Sequence, residues 1–406
     1  MEKNVIFTIC AKNYLAQALS LKDSVYRYNK SVDFYIYLAD LPNAKDLPKV
    51  INLDDSWIPN WKQMAFKYDV IEFNTSIKPY CINDLFNKGY DKIVYMDPDT
   101  YLFNNLDYVF NNLEKFSIIL TPHRCFPTLT KDPIPDDIVS NVGIYNLGFI
   151  ALKNDAVGHQ IINWWKAKLS SQCYVDNENG LFVDQKWMDF VPGFFPNDVL
   201  ISQNIGLNVA LWNFQERKIF YDKGIPMVKD RIGVNHVDKL VFCHFSGFSP
   251  LTPNQLDRRN NKITVTTNPE WKPLLKEYQE MEETNKYSYY SKLTYSFNYF
   301  SNHYFINPII RRAFRAHEND MGKYSDPFNS NGKLYKIFDT AHLISHNNMN
   351  KEKALRKKEI YKRQNGKVIR VMKILIRFVG IDKYLLLLKA FKKIGSVDYN
   401  GKYLIK

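Results

Sequence analysis

The chain has 406 residues, of which 45% are hydrophobic and 15% aromatic, with a formal net charge of +13. That length suits about two domains, or one domain with appendages, and the apolar content is ample for a core. The charge is local: residues 351–406 hold 17 Lys/Arg against 4 Asp/Glu, which accounts for the whole excess. Residues 1–350 are therefore balanced, which argues against a nucleic-acid-binding body. The five cysteines (Cys10, Cys81, Cys125, Cys173 and Cys243) are odd in number, widely spaced and without a C-x-x-C. They fit reduced thiols better than a disulfide or zinc framework.

Val5-Ile6-Phe7-Thr8-Ile9 reads as a first buried strand, with no charged-then-apolar leader before it. Asn13-Tyr14 opens a helix to about Arg27, with Asn13 as a candidate cap, and Phe34–Leu38 is a second strand ending near Asp40. A strand–helix–strand opening with a polar loop after the first strand is a nucleotide-binding layout. Helices follow at about Met64–Tyr68 and Ile77–Lys88, separated by Asp69-Val70-Ile71-Glu72. Lys92-Ile93-Val94-Tyr95 is the next buried strand, and it delivers Met96-Asp97-Pro98-Asp99-Thr100. Proline between the two carboxylates stops the strand from pairing further. Hard oxygen donors at the carboxyl end of a strand suit Mg²⁺ or Mn²⁺ holding a substrate phosphate, although a bare Asp-x-Asp is more often a solvated turn.

A helix at Leu106–Leu113 and a strand at Ser117–Leu120 precede a Pro-rich loop running to Pro135. Ile144–Leu152 is a strand with Asn146-Leu147-Gly148 inside it, and a glycine there signals close approach by a ligand or a neighbour. Ala156–Leu169 is a helix whose Trp164-Trp165 are expected to pack in the core. A helix near Phe182–Met188 and strands near Phe194–Leu200 and Leu240–His244 complete an α/β core over 1–255. Residues 256–345 are polar and aromatic with poor periodicity, and 346–406 form a basic tail. In that tail Lys367–Lys393 carries an apolar side and a stripe of Lys367, Arg370, Lys373 and Arg377. The stripe fits a solvated face, an acidic polymer or an anionic membrane surface, and the last is favoured.

Six pieces, in order, resemble GT-A-fold glycosyltransferases that use nucleotide sugars, especially family 8-type and related bacterial polysaccharide enzymes. They are Thr8–Tyr14, Lys78-Pro79-Tyr80, Tyr95–Asp99, Asn146–Phe149, Asp184-Gln185 and His244-Phe245-Ser246-Gly247. The resemblance implies a GT-A (Rossmann-like) mixed sheet flanked by helices, with a mainly helical C-terminal extension. It implies that Thr8, Ala11, Asn13 and Tyr14 hold the donor's base and ribose, with Tyr14 stacked on uracil. Lys78 would face the diphosphate or sugar, and Asn146 and Gly148 would line the sugar pocket. Asp184 and Gln185 would stand beside the anomeric carbon, and Ser246 and Gly247 would approach the phosphates. Asp97, Asp99 and His244 would hold the metal, and the histidine tilts the choice toward Mn²⁺ over Mg²⁺. The first loop departs from the family pattern in carrying Lys12 at a usually acidic position, and Ser249-Pro250 replaces the usual late Lys-Pro-Trp.

The implied activity is transfer of a hexose or N-acetylhexosamine from a nucleotide sugar, UDP-linked by expectation, to a surface-polysaccharide or lipid-linked oligosaccharide acceptor. No acidic residue stands out as a general base, which leans toward retention of configuration. A GT-A-like nucleotidyltransferase would need a Gly-rich loop after the first strand, which Cys10-Ala11-Lys12-Asn13 is not. A third possibility is a non-catalytic carbohydrate- or membrane-binding protein with a degenerate site. The expected location is cytoplasmic, peripheral at the inner face of the membrane through residues 351–406. His123, Asn208, Trp212 and Asn213 are open between acceptor-side and purely structural roles.

Overall fold

The computed structural model describes residues 2–127, 136–257, 264–266 and 268–345, together with 383, 387, 390–391, 394–395 and 397–403. The expected basic stripe of Lys367, Arg370, Lys373 and Arg377 therefore lies outside the described residues, as does most of Lys367–Lys393. The chain divides into two compact units, Met1–Trp61 with Val70–Tyr295, and Lys62–Asp69 with Ser296–Lys406.

The first unit is α/β. Its strands are β1 (Asn4–Cys10), β2 (Asp33–Leu38), β3 (Ile51–Asn52), β4 (Lys92–Met96), β5 (Thr100–Leu102), β6 (Ile118–Pro122), β7 (Tyr145–Lys153), β8 (Val175–Asp176), β9 (Leu181–Phe182), β10 (Val199–Ile201), β11 (Arg217–Asp222), β12 (Ile225–Asp230), β13 (Val237–Lys239) and β14 (Phe242–His244). Seven of them form a sheet in the order β10-β6-β7-β4-β1-β2-β3. β7 runs antiparallel to both its neighbours, and the other pairings are parallel. The central strands β1 and β4 are buried on both faces, which is why they read as continuous apolar runs. Helices Leu15–Tyr28, Lys78–Asn87 and Ala156–Leu169 flank the sheet core. The last is capped by Asp155, which accepts from the Gly158 N–H at 2.8 Å.

From β1 the order runs to β2 and β3 on one side and to β4 on the other, so the sheet has its switch point between β1 and β4. Polar loops leave both strands there. Because β7 is antiparallel, its first residues, Tyr145–Gly148, arrive at the same edge. A separate two-stranded pairing, β14 with β5, sets His244 opposite Thr100, and the Phe245 N–H donates to the Asp99 carbonyl at 2.8 Å.

Several local expectations change. Asn13 does not cap: a 3₁₀ turn at Lys12–Tyr14 leads into the helix, and no side-chain cap bond is made. The segment Val70–Ser76 is a helix. The strand expected from Phe194 starts at Val199, after a short helix at Val191–Phe194. Pro192 fits that helix's first turn, where its missing N–H costs nothing. Trp165 is buried as expected, while Trp164 is half-buried against Trp187 and Phe194. Helix Lys272–Thr284, in the stretch without clear periodicity, packs on Leu15–Tyr28.

In the second unit, Phe66, Phe300, Ile310, Phe314, Leu334 and Phe338 form an apolar core. Helices Pro308–Ala316 and Lys333–Thr340 supply its faces. The buried Arg311 guanidinium donates to the carbonyls of Ala65, Phe66, Tyr68 and Phe297 at 2.6–3.1 Å. Those four acceptors replace the water that a buried guanidinium loses. No helix among the described residues is long and apolar enough to cross a membrane.

Candidate active site

β4 ends at Met96, and the turn Asp97–Thr100 is closed by the Thr100 N–H and hydroxyl, which both donate to the Asp97 carbonyl. The two carboxylates are thereby held on a rigid support. β14, pairing with β5, carries His244 to them: Nε2 lies 3.1 Å from Asp99 Oδ1 and 3.7 Å from Asp97 Oδ2. One ligand atom from each of the three residues falls within a common 4.8 Å. Two carboxylates and an imidazole at that spacing suit a divalent ion such as Mn²⁺. Burial opposes a charge on His244, but Asp99 and then Asp97 outweigh it and raise its pKa above the usual range. The cluster thus attracts a cation, whether a proton on the ring or a metal ion in its place.

Gly148 is shaped by this histidine. A Cβ there would stand 2.3 Å from His244 Cε1 and 2.5 Å from Nδ1, so the close approach signalled by the glycine is that of His244. Trp212 meets His244 edge-on with ring centroids 5.0 Å apart, and His123 likewise at 5.5 Å. His123 lies between the Ile144 carbonyl, 3.1 Å from Nδ1, and the Asn146 amide, 3.3 Å from Nε2. Burial lowers its pKa to about 4. A neutral ring that donates from Nδ1 and accepts at Nε2 satisfies both contacts. Asn146 Oδ1 accepts from the Gly148 N–H and from Asn208 Nδ2, at 3.1 and 3.0 Å. Asn208 also donates to Thr121, and Asn213 Nδ2 donates to the Asn208 carbonyl. These residues form a polar support behind β7.

Lys78, in the first turn of its helix, is only 1% exposed. Its ammonium is 2.8 Å from Asp184 Oδ2 and 3.8 Å from Asp97 Oδ1, and it donates to the Leu147 carbonyl at 2.7 Å. It also lies 4.3 Å from the centroid of the Tyr95 ring, whose hydroxyl donates to Asp97 Oδ1. Asp184 has a raised pKa because burial, aided by Asp97, outweighs Lys78. Gln185 is fixed at both ends of its amide: Oε1 accepts from the Leu147 N–H at 3.0 Å, and Nε2 donates to the Val142 carbonyl at 2.9 Å. Asp97, Asp99, His244, Lys78, Asp184, Gln185, Asn146 and Gly148 are therefore linked into one polar cluster at the switch-point edge.

Thr8 and Ala11 are buried at the end of β1, and Asn13 and Tyr14 are half-buried in the turn that follows. Thr8 Oγ1 and Asn13 Oδ1 have no hydrogen-bond partner among the described residues. Lys12 turns toward Asp40, 3.6 Å away, at the end of β2. Ser246 and Gly247 form a turn closed by the Phe248 N–H on the Phe245 carbonyl, with Gly247 at φ +82 in the left-handed region. Tyr95 belongs to the Tyr95–Asp99 motif but has no role of its own in the sequence reading; its contacts with Asp97 and Lys78 emerge only from the structure.

No family model matches the chain. Two Bacillus subtilis (strain 168) proteins, both uncharacterised, are similar to it. YfnF is 25% identical over 262 residues, 61% of this chain and 83% of that protein. YfnD is 22% identical over 261 residues, 62% and 79%. Solved structures with some likeness are glycosyltransferases. The galactosyltransferase LgtC, in complex with donor and acceptor sugar analogues, is 14% identical with a TM-score of 0.41, covering 69% of this chain and 95% of that one. An enzyme involved in glycosylation of the major capsid of PBCV-1 is 10% identical with a TM-score of 0.34, covering 69% and 99%. Mouse xyloside xylosyltransferase 1 is 14% identical with a TM-score of 0.33, covering 52% and 90%.

Proposed function

We propose that this chain is a metal-dependent glycosyltransferase. It moves a hexose or N-acetylhexosamine from a UDP-linked donor to a polysaccharide or lipid-linked oligosaccharide acceptor. The observation that carries the reading is the convergence of Asp97, Asp99 and His244 at the switch-point edge. In open α/β sheets that edge is where nucleotides bind. Asp97, Asp99 and His244 would hold Mn²⁺ or Mg²⁺, which when bound supplies positive charge for the departing diphosphate.

In the transfer, the bond from the sugar's anomeric carbon to the diphosphate oxygen breaks, and a bond to an acceptor hydroxyl oxygen forms. The acceptor's proton leaves with the UDP. Lys78 and Asp184 neutralise one another next to Asp97, so the pocket wall stays charged without a net excess. Gln185, with both ends of its amide engaged, is a fixed dipole at the sugar-side wall. Neutral His123 and the Asn146–Asn208 contacts hold the start of β7 in place. No side chain in the cluster is a free carboxylate base, in keeping with a retaining reaction. Residues 351–406 would hold the protein to an anionic membrane surface at the cytoplasmic face, where a lipid-linked acceptor is presented.

Calorimetric titration with UDP, with and without Mn²⁺, tests the reading. Wild-type protein should bind UDP at least about tenfold more tightly with the metal than without it. Asp97→Asn/Asp99→Asn should abolish that gain. No UDP affinity, or a gain that survives the double substitution, would overturn it.

A further inference from the structure

The sheet β11–β13 lies outside every motif that points to nucleotide-sugar chemistry, and its two faces are unlike. In its register Ile219 stands opposite Val228, and Val228 opposite Asp238. Ile219 and Val228 are buried in the cluster that also holds Cys243 and Phe245, the residues flanking His244. Side chains alternate along a strand, so the rows on either side of Ile219–Val228 point outward. One of them is Lys218–Lys229–Val237, and the other is Phe220–Met227–Lys239. All three lysines and Val237 are exposed, and Phe220 and Met227 are half-buried.

Charge and shape on this outer face both point to a partner. Lys218 and Lys229 stand directly opposite one another, a like-charge cross-strand pair that costs stability. None of the three lysines makes an ion pair among the described residues. The carboxylate of the face, Asp222, is set at the hairpin end opposite Ile225. Apolar side chains run between the lysines: Met227, Val237 and Phe220, whose ring centroid is 5.5 Å from Lys229 Nζ. Lysines alone suit water, but lysines around an apolar strip suit an anionic surface with a hydrocarbon layer beneath it. A second copy fits poorly, because a two-fold contact would set lysines against lysines. An acidic polymer is better gripped by the forked donors of arginine, and these rows carry none.

We propose that the outer face of β11–β13 docks on an anionic lipid bilayer. Phe220, Met227 and Val237 meet the headgroup boundary, and Lys218, Lys229 and Lys239 meet the lipid phosphates. Lysine stems can lie along an apolar strip while their charged ends stay among polar headgroups. This contact is separate from residues 351–406 and independent of the nucleotide-sugar reading. Because the inner face of the same sheet packs around the residues flanking His244, docking would also fix how the candidate site faces the bilayer.

The test places a reporter on the face itself. Val237→Cys in the full chain is labelled with an environment-sensitive fluorophore, and wild type labelled in parallel corrects for the half-buried Cys125. On vesicles of phosphatidylcholine with phosphatidylglycerol, the label should shift to the blue and be quenched by nitroxide-bearing lipid. With phosphatidylcholine alone it should do neither. Each lysine near an anionic surface is worth about fivefold, so Lys218→Gln/Lys229→Gln/Lys239→Gln should weaken partitioning onto the mixed vesicles about hundredfold. Its melting temperature should stay at the wild-type value. A label that remains in water while the protein is bound to vesicles assigns the binding to residues 351–406 or another surface, and overturns the proposal. Wild-type partitioning in the triple variant, or no binding by wild type, overturns it equally. So does a label that answers soluble polyglutamate as strongly as vesicles, because the partner is then an acidic polymer. If the triple variant does not fold, the label alone decides.

Discussion

Replacing Gly148 by alanine tests whether the proposed metal cluster depends on how closely β7 lets His244 approach. The added Cβ would lie 2.3 Å from His244 Cε1, 2.5 Å from Nδ1 and 2.9 Å from Asn146 Oδ1. Carbon atoms in contact prefer about 3.5–4.0 Å, so the ring must retreat by more than about 1 Å. Trp212 stands edge-on to the ring and Asp99 meets its Nε2, which leaves little room for that retreat. Overpacking of this kind costs about 1–3 kcal/mol, and disturbing the setting of a metal ligand weakens the metal about ten- to hundredfold. Gly148→Ala should therefore stay folded, melt somewhat lower, and bind Mn²⁺ in that weakened range by calorimetry. In a His244→Ala background the same change should have much less effect on Mn²⁺, because the ring it displaces is gone. Wild-type Mn²⁺ affinity in Gly148→Ala, or full additivity in the double variant, would refute the reasoning.

Lys78→Met should destabilise the protein by about 3–5 kcal/mol in a denaturant titration, because it leaves Asp184 buried and unpaired. Adding Asp184→Asn should recover much of that loss, and a single variant within about 1 kcal/mol of wild type would count against the pair's role. Glu282 makes a pH prediction for the metal-free protein. Its folded pKa of about 8 lies above its ordinary 4.5, so the folded chain holds the extra proton between those values. The stability this gives is complete below about pH 4.5 and is lost as pH rises through about 8, on the order of 5 kcal/mol in all. Glu282→Gln should flatten that fall when unfolding is followed in EDTA from pH 5 to 9, and parallel profiles would show that the group does not titrate this way.

The main strands of the first unit were legible because the central ones are buried on both faces. β1, β4 and β7 are apolar runs with clear ends, and helix Ala156–Leu169 has its cap and its periodicity in the sequence. The Asp97–Asp99 turn was legible for a local reason, a carboxylate pair directly after a buried strand. Its meeting with His244 was visible only through resemblance, since the pairing of β14 with β5 joins segments far apart in the chain. The His244–Gly148 contact and the double contact of Trp212 are properties of packing that no spacing announces. The sheet β11–β13 was missed, although Lys223-Gly224, both at positive φ, is a two-residue hairpin signal. Helix Lys272–Thr284 was missed because its buried face includes Tyr278 and Glu282, which blur an apolar stripe.

The eight residues Lys62–Asp69 belong to the second unit although the chain on both sides belongs to the first. Phe66 is fully buried among Phe300, Phe314, Phe328 and Phe338, and Arg311 gathers the carbonyls around it. The two units are thus distinct in their packing but interleaved in sequence. Cutting the chain after Tyr295 would not release a clean first unit. It would leave an aromatic peg without its socket and three backbone carbonyls without their donor, an adhesive surface grafted onto an otherwise intact sheet. Shortening this protein from its C-terminal side therefore requires that Phe66 and its neighbours be rewritten for water at the same time.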